Sequence, residues 1–410
     1  MSVRKIQIAL GLLAVASAAT VLSDLTYWDR YLNAYTFETF VENPYPTLER
    51  LYPQEQVEGV ARPREFDRAD AADQLIPASV LADVARFAEQ SDSTSLIIYH
   101  DGRIVMERYW QGGDRTSVVY SFSMHKSVVA LLIGIAIDEG HIGDVDDSLA
   151  KYITEWRDDP RAAITIRQAL QMSTGLEPMS FPINPFSKHV KRQIGTDLLR
   201  TAVSFQLAKP PGSEFSYNGV NPTLLLIALE RATGQRYANY LSEKLWRPLG
   251  NQDAAVWLDH ENGLARGATS LFAVPMDWMR IGEMLLSGGT VENRQVVPPG
   301  WLEEMTTPSL TNSTYGLLTW IGSDYAGERT LESFEGFAAV AEKPFNAGDL
   351  FYFDGLGGQR VYVVPSRKLI IVRTGVLAWE WQDTELPNML VSAIDGAHAK
   401  RAATTKLNGG

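Results

Sequence analysis

Ser123-Met124-His125-Lys126-Ser127-Val128-Val129-Ala130-Leu131-Leu132-Ile133-Gly134-Ile135-Ala136-Ile137 is the stretch on which the reading of the fold turns. From Val128 to Ile137 it is almost continuously apolar, and it closes near Gly140. That pattern predicts a helix buried on every side, because an amphipathic surface helix would show a polar stripe. The run is far too short to cross a membrane. Its polar residues stand at the start. Ser123 occupies the first turn and Lys126 follows at i+3, so the two share one face. Helix side chains lean toward the N-terminus, which carries the amine back over the hydroxyl. The first-turn N–H groups lie at the positive end of the helix dipole, where one can donate to a developing oxyanion. Burial lowers a lysine pKa, so that a neutral amine can accept the serine proton. The competing reading makes Ser123 a plain helix cap with Lys126 on the surface.

Ser-x-x-Lys also occurs at Ser2–Lys5 and Ser148–Lys151. The first lies in the amino-terminal segment. The second follows Asp144, Asp146 and Asp147 in a polar stretch that suits a solvated helix start. Only Ser123 opens a long buried helix.

Outward from that helix, the two ends of the chain carry strands. Leu96–Tyr99 and Ile104–Met106 flank His100-Asp101-Gly102-Arg103. Asp-Gly between apolar runs predicts a tight hairpin, since the turn needs positive φ. Leu350–Phe353, Arg360–Val364 and Leu369–Thr374 are β-rich, with Pro365–Lys368 turning between the last two. Helical patterns fill the middle: Leu224–Ala232 and Tyr237–Leu245 join through Thr233-Gly234. A helix opens at Pro77-Ala78, and a final one runs from about Glu385 to His398. The expected class is α/β (α+β): an antiparallel sheet from both chain ends, flanked by helices, with an inserted, mostly helical subdomain.

Residues 6–22 are apolar after a basic start at Arg4 and Lys5, with Ala14-Val15-Ala16 and Ala16-Ser17-Ala18 suited to signal peptidase. Residues 1–22 are thus expected to direct export, to the periplasm or beyond, as a cleaved signal or as an anchor. Residues 23–75 read as an irregular extension, 76–400 as the main domain, and 401–410 as a flexible tail. The chain has 410 residues, 45% of them hydrophobic, enough for a large core. Its formal charge of −12 disfavours nucleic acid as a partner. It has no cysteine, which removes thiolate catalysis and cysteine-ligated metals. None of its six histidines falls in H-E-x-x-H spacing, so no zinc-protease helix is present.

Two further stretches carry chemistry. Lys209-Pro-Pro-Gly-Ser-Glu-Phe-Ser-Tyr217-Asn218-Gly219 precedes a helix and offers the Tyr217 phenol; an adjacent ammonium would favour its phenolate as a competing base. Phe353-Asp354-Gly355-Leu356-Gly357-Gly358-Gln359 follows a strand with glycines that let a ligand approach the main chain. The Leu356 N–H is then a candidate oxyanion donor. Read singly, Tyr217 is a packing aromatic and the glycine run a bulge or turn.

Together, Ser123–Lys126, Gln168-Ala-Leu-Gln-Met-Ser-Thr-Gly-Leu176, Pro211-Gly212 leading to Tyr217, and Arg236-Tyr-Ala-Asn-Tyr240 to Arg247-Pro-Leu-Gly250 resemble the serine β-lactamase and penicillin-binding-protein superfamily. Within it the chain is most similar to class C β-lactamases, related esterases and 6-aminohexanoate-oligomer hydrolases, over about residues 80–398. The resemblance implies a β-lactamase/transpeptidase-like fold and an acyl-enzyme mechanism, with no metal and no organic cofactor. It places the nucleophile on Ser123, its partners on Lys126 and Tyr217, and the oxyanion amides on Ser123 and Leu356. Which of Lys126 and Tyr217 is the resting base stays open.

Two departures from the family pattern stand out. The third position of its Tyr-x-Asn is Gly219, so a side-chain donor is missing, and Asn218 or Asn221 is the expected substitute. The family's Lys-Thr-Gly falls on Phe353-Asp354-Gly355. Without that lysine, and with Asp354 repelling it, a substrate carboxylate is not expected to bind. Asn218, Asn221, Phe353, Asp354, Gly355 and Gly357 are the expected substrate contacts, and a small-molecule amide or ester other than a β-lactam is the expected substrate. The aromatic-rich loop Met179–Phe186 is expected to overhang the pocket. Competing functions are a weak β-lactamase or D,D-peptidase, or a non-catalytic binding or sensor domain on the same scaffold. A Ser-His-Asp α/β-hydrolase needs Gly-x-Ser-x-Gly, which the sequence lacks.

Overall fold

The computed structural model describes residues 24–34, 51–70, 74–180, 184–322, 327–330, 338–341, 343–376 and 380–408. The apolar segment expected to direct export, residues 1–22, lies outside them. In chain order, the elements that build the site are α1 (Leu25–Ala34), β1 (Gln54–Val57), α2 (Ala78–Gln90), β2 (Ser93–His100), β3 (Arg103–Tyr109), β4 (Val119–Tyr120) and α3 (Met124–Asp138). They continue with α4 (Lys188–Ile194), α5 (Leu198–Val203), α6 (Val220–Thr233), β5 (Ala254–Trp257), β6 (Leu271–Ala273), α7 (Pro275–Leu286) and β7 (Trp320–Ile321). Last come β8 (Phe351–Gly355), β9 (Gln359–Val364), β10 (Leu369–Gly375) and α8 (Glu385–Asn408).

The main sheet is antiparallel, in the order β3-β2-β10-β9-β8-β7. The amino-terminal hairpin thus joins the carboxy-terminal strands through β2 and β10, in the register Ile98↔Ile371. Its turn is built as the Asp-Gly signal requires, with φ of 46° at Asp101 and 92° at Gly102. Everything between β3 and β7 is inserted into that sheet. Helix α7 closes on it: a β-carbon on Gly282 would fall 2.6 Å from Ile370 Cγ2, so the close approach needs glycine. Helices α2 and α8 pack on each other, and α2 on β2. A second antiparallel sheet, β1-β5-β6-β4, joins β1, which precedes the main sheet in the chain, to three strands of the inserted part.

Helix α3 has the predicted environment. Every residue from Met124 to Ala136 is buried, and burying each Leu, Ile or Val contributes roughly 1.5–3 kcal/mol. It stops as its glycine predicts: Gly140 takes φ of 75°, and the His141 N–H donates to the Ala136 carbonyl at 2.9 Å. Gly134 makes room for the Trp301 ring, whose Nε1 donates to the Ala130 carbonyl at 3.1 Å.

Two expectations need correction. The extension at 23–75 is not wholly irregular: it contains α1, and it contains β1, which pairs with β5. Helix α8 continues to Asn408 through most of the expected tail. Among the described residues, no helix is long and apolar enough to cross a membrane.

Candidate active site

Strands β4 and β6 set where Ser123 stands. They pair antiparallel, and the ladder runs on as the Ser121 N–H donates to the Leu271 carbonyl at 3.0 Å. Phe122 then takes a left-handed φ of 47°, a conformation that costs a non-glycine residue about 1–2 kcal/mol. That sharp turn feeds the chain into α3. Ser123 is the N-cap residue by position, yet its side chain makes no capping bond. Lys126 is 4% exposed rather than on the surface. The plain-cap reading therefore fails on both counts.

The Lys126 Nζ lies 2.6 Å from Ser123 Oγ and donates to the Ala268 carbonyl at 2.8 Å. Burial pushes its pKa down to about 7; the Arg192 charge acts in the same direction and Asp354 opposes it. The same nitrogen stands 5.0 Å from the centre of the Tyr217 ring. That ring is held by Trp320 and Tyr315, at centroid distances of 5.9 and 6.3 Å. Ser123, Lys126 and Tyr217 line one cavity of about 250 Å³, with Phe122, Met179, Arg192, Arg266 and Ala268 on its walls. The Ser123–Lys126 pair and the distant Tyr217 thus meet in one cleft. The other Ser-x-x-Lys match is structural: Ser148 Oγ accepts from the Ala150 N–H, and Lys151 pairs with Asp147.

The glycine turn after β8 sits against the approach to Ser123. A β-carbon on Gly355 would fall 2.4 Å from the Ser121 carbonyl oxygen, so only glycine allows the contact. Two buried arginines fix this turn. Arg360 donates to the carbonyls of Gly355 and Gln359, at 2.8 and 3.0 Å. Arg373 donates to the Gly357 carbonyl at 2.8 Å. Leu356, partly exposed, stands between those anchored positions.

Several expected substrate contacts are placed elsewhere. Phe353 is 0% exposed and belongs to the core. Asp354 is ion-paired with Arg360, so its charge is offset and does not face the cleft as a lone carboxylate. Asn218 spends its amide on the Glu177 carbonyl and its oxygen on the Val220 N–H. The Asn221 oxygen accepts from Thr174, and its amide meets the Met172 sulfur. Neither asparagine lines the cavity, nor do Gly355, Leu356 and Gly357. Of the loop expected to overhang the pocket, Met179 lines the cavity, whereas Phe186 packs on Trp28 of α1. Residues 181–183 of that loop lie outside the described residues.

The sequence reading missed the two arginines of the cavity wall. Arg266 donates to the carbonyls of Arg192 and Gln193, at 3.1 and 2.7 Å, and to that of Gly195. Arg192, on α4, reaches over Gly219. The only signal for it was the glycine itself.

Comparison with known proteins places these features in a family. The Beta-lactamase family model matches residues 81–374. The 6-aminohexanoate-dimer hydrolase of Paenarthrobacter ureafaciens is 27% identical over 240 residues, which cover 56% of this chain and 60% of the relative. The chain thus spans less than two thirds of that relative's length. Among solved structures, "Putative 6-aminohexanoate-dimer hydrolase from Bacillus anthracis" has a TM-score of 0.65 at 19% identity, covering 89% of this chain and 95% of that one. EstCE1, a hydrolase with promiscuous acyltransferase activity, has a TM-score of 0.57 at 15% identity, covering 79% of this chain and all of its own, 100%. These structural likenesses establish the expected fold.

Proposed function

Since the chain belongs to the Beta-lactamase family, we propose that it is a serine hydrolase cleaving a small-molecule amide or ester through an acyl-enzyme on Ser123. One observation carries the reading. A buried amine with a pKa near 7 stands 2.6 Å from a hydroxyl at the mouth of a helix. At neutral pH about half of such amines are unprotonated, and an unprotonated amine accepts a proton.

Ser123 Oγ attacks the substrate carbonyl carbon while Lys126 Nζ takes its proton. The carbonyl oxygen becomes an oxyanion and accepts hydrogen bonds from the main-chain N–H groups of Ser123 and Leu356. The C–N or C–O bond then breaks, and the departing amine or alcohol takes a proton delivered by Lys126 or by the Tyr217 hydroxyl. Water next attacks the acyl carbon and gives its proton to the same base. The bond from the acyl carbon to Ser123 Oγ then breaks, Oγ takes the proton back from that base, and the carboxylic acid leaves. The anchored glycine turn supports Leu356 in its role, because both flanking carbonyls are held by buried guanidinium groups. An amide or an ester suits the site, and the name of the Paenarthrobacter relative supports the amide. The basic start and apolar run at residues 6–22 support work outside the cytoplasm.

A fluorophosphonate probe should form a covalent adduct on Ser123, read by peptide mass spectrometry. Ser123→Ala should abolish both labelling and ester turnover with little change in melting temperature. Full activity in that variant would refute the assignment of the nucleophile.

A further inference from the structure

Three cationic side chains line the cavity, Lys126, Arg192 and Arg266, and no carboxylate does so among the described residues. Each of the three has contacts of its own. Lys126 faces Ser123. Arg266 is 6% exposed and grips three main-chain carbonyls. Arg192 is half-buried and meets the Met179 sulfur at 3.5 Å. Its Nη1 lies 2.6 Å from the point where a β-carbon on Gly219 would stand.

Gly219 has φ −66° and ψ −6°, an ordinary right-handed conformation open to any residue. The backbone therefore does not require glycine there. A side chain at 219 would enter the volume that the Arg192 guanidinium occupies and push that flexible end aside. The glycine that looked like a lost donor is the seat of a donor from another element.

That element is held firmly. Carbonyls at the end of α4 accept from Arg30 of α1 (Ile194 and Gly195, each at 3.2 Å) and from Arg266. Cations at a helix C-terminus are favourable in any case. Tyr27 of α1 packs with Val190 and Ile194 of α4 in a small apolar cluster. The backbone that carries Arg192 is thus placed before any substrate arrives, which reduces the ordering cost of binding.

The geometry points to Arg192 as the anion receptor of the cleft, so that the substrate is an ester or amide carrying a carboxylate near its scissile bond. A guanidinium presents a planar fork matched to carboxylate. A concave site walled by one sign of charge concentrates the opposite sign. Arg192 lines the same cavity as the reacting amine of Lys126. The proposal departs from the sequence expectation that a substrate carboxylate is not bound: the cation it invokes comes from α4 instead of the strand carrying Phe353.

The inference rests on the hydrolase reading, and the test separates the two. p-Nitrophenyl butyrate and mono-p-nitrophenyl glutarate share a leaving group and differ by a terminal carboxylate. The ratio of kcat/KM, anionic over neutral, is measured on the full chain above the pH at which Lys126 titrates. Wild type should prefer the anionic ester. Arg192→Gln should lower the ratio about ten- to a hundredfold, the range of one lost charge-assisted contact. Arg192→Lys should keep part of the preference. Gly219→Asn, which displaces the guanidinium, should lower it as well. An unchanged ratio in folded Arg192→Gln overturns the receptor and leaves the hydrolase standing. Calorimetry of the anionic ester on Ser123→Ala, with and without Arg192→Gln, reads the same contact without turnover. At least tenfold weaker binding in the double variant supports it, and equal binding overturns it.

Discussion

Replacing Lys126 by methionine removes a charge that the fold holds at a cost. The native pKa is about 7 against an ordinary 10.5, and that gap amounts to roughly 5 kcal/mol against the protonated native form. An unfolded chain keeps the proton up to about pH 10.5, whereas the native chain gives it up near 7. Unfolding therefore takes up a proton between those values, and native stability rises with pH across that window. Below the window both states are protonated and the whole penalty stands. Above it neither is, and the penalty vanishes. Lys126→Met should therefore relieve about 4 kcal/mol at pH 7 and about 1 kcal/mol at pH 10. It also strips the Ala268 carbonyl of its donor, a loss of about 1–3 kcal/mol that does not vary with pH. Urea unfolding of both proteins at the two pH values isolates the varying part. The stability of the variant relative to wild type should be about 3 kcal/mol greater at pH 7 than at pH 10, with turnover lost. A difference that stays constant between the two pH values would refute a depressed Lys126.

The same titration should govern catalysis. For a neutral ester, kcat/KM should be half-maximal near pH 7, the pKa of Lys126, and should fall about tenfold per pH unit below pH 6. A flat profile over that range would remove Lys126 as the base. Gly134→Ala should destabilise without touching the chemistry. Its β-carbon would lie 2.3 Å from Trp301 Nε1, an overpacking cost of about 1–3 kcal/mol. The helix-propensity gain of about 1 kcal/mol only partly offsets it. A chemical denaturation midpoint at or above wild type would show that Trp301 yields freely.

Much of this architecture is legible in the sequence because it is written at short range. Helix α3 is visible from an unbroken apolar run ended by a glycine, and the β2–β3 turn from Asp101-Gly102. Ser123 and Lys126 are three residues apart on a predicted helix, so their meeting follows from helical geometry alone. The pairing of β2 with β10 is a matter of fold class. The buried arginines are of another kind. Arg360 and Arg373 lie in strands that read as plain β-structure, and their partners, Gly355 and Gly357 among them, show no pattern that names an arginine as donor. A main-chain carbonyl carries no residue identity, so a bond to one leaves no trace in residue types.

Gly219 and Arg192 show how such a long-range arrangement can still mark the sequence. A position where a side chain is expected and glycine stands has two physical explanations: the backbone needs the freedom, or something else needs the room. Sequence alone does not separate them, and a missing donor is then read as a lost function. The right-handed φ of Gly219 removes the first explanation, and the guanidinium 2.6 Å from its absent β-carbon supplies the second. The gap and its occupant are one feature, divided between the N-terminus of α6 and the last turn of α4. A substitution that restores the family residue at 219 should therefore act as a lesion at 192. A mere repair of a missing donor would leave the preference for an anionic ester intact, whereas eviction of the guanidinium would lower it.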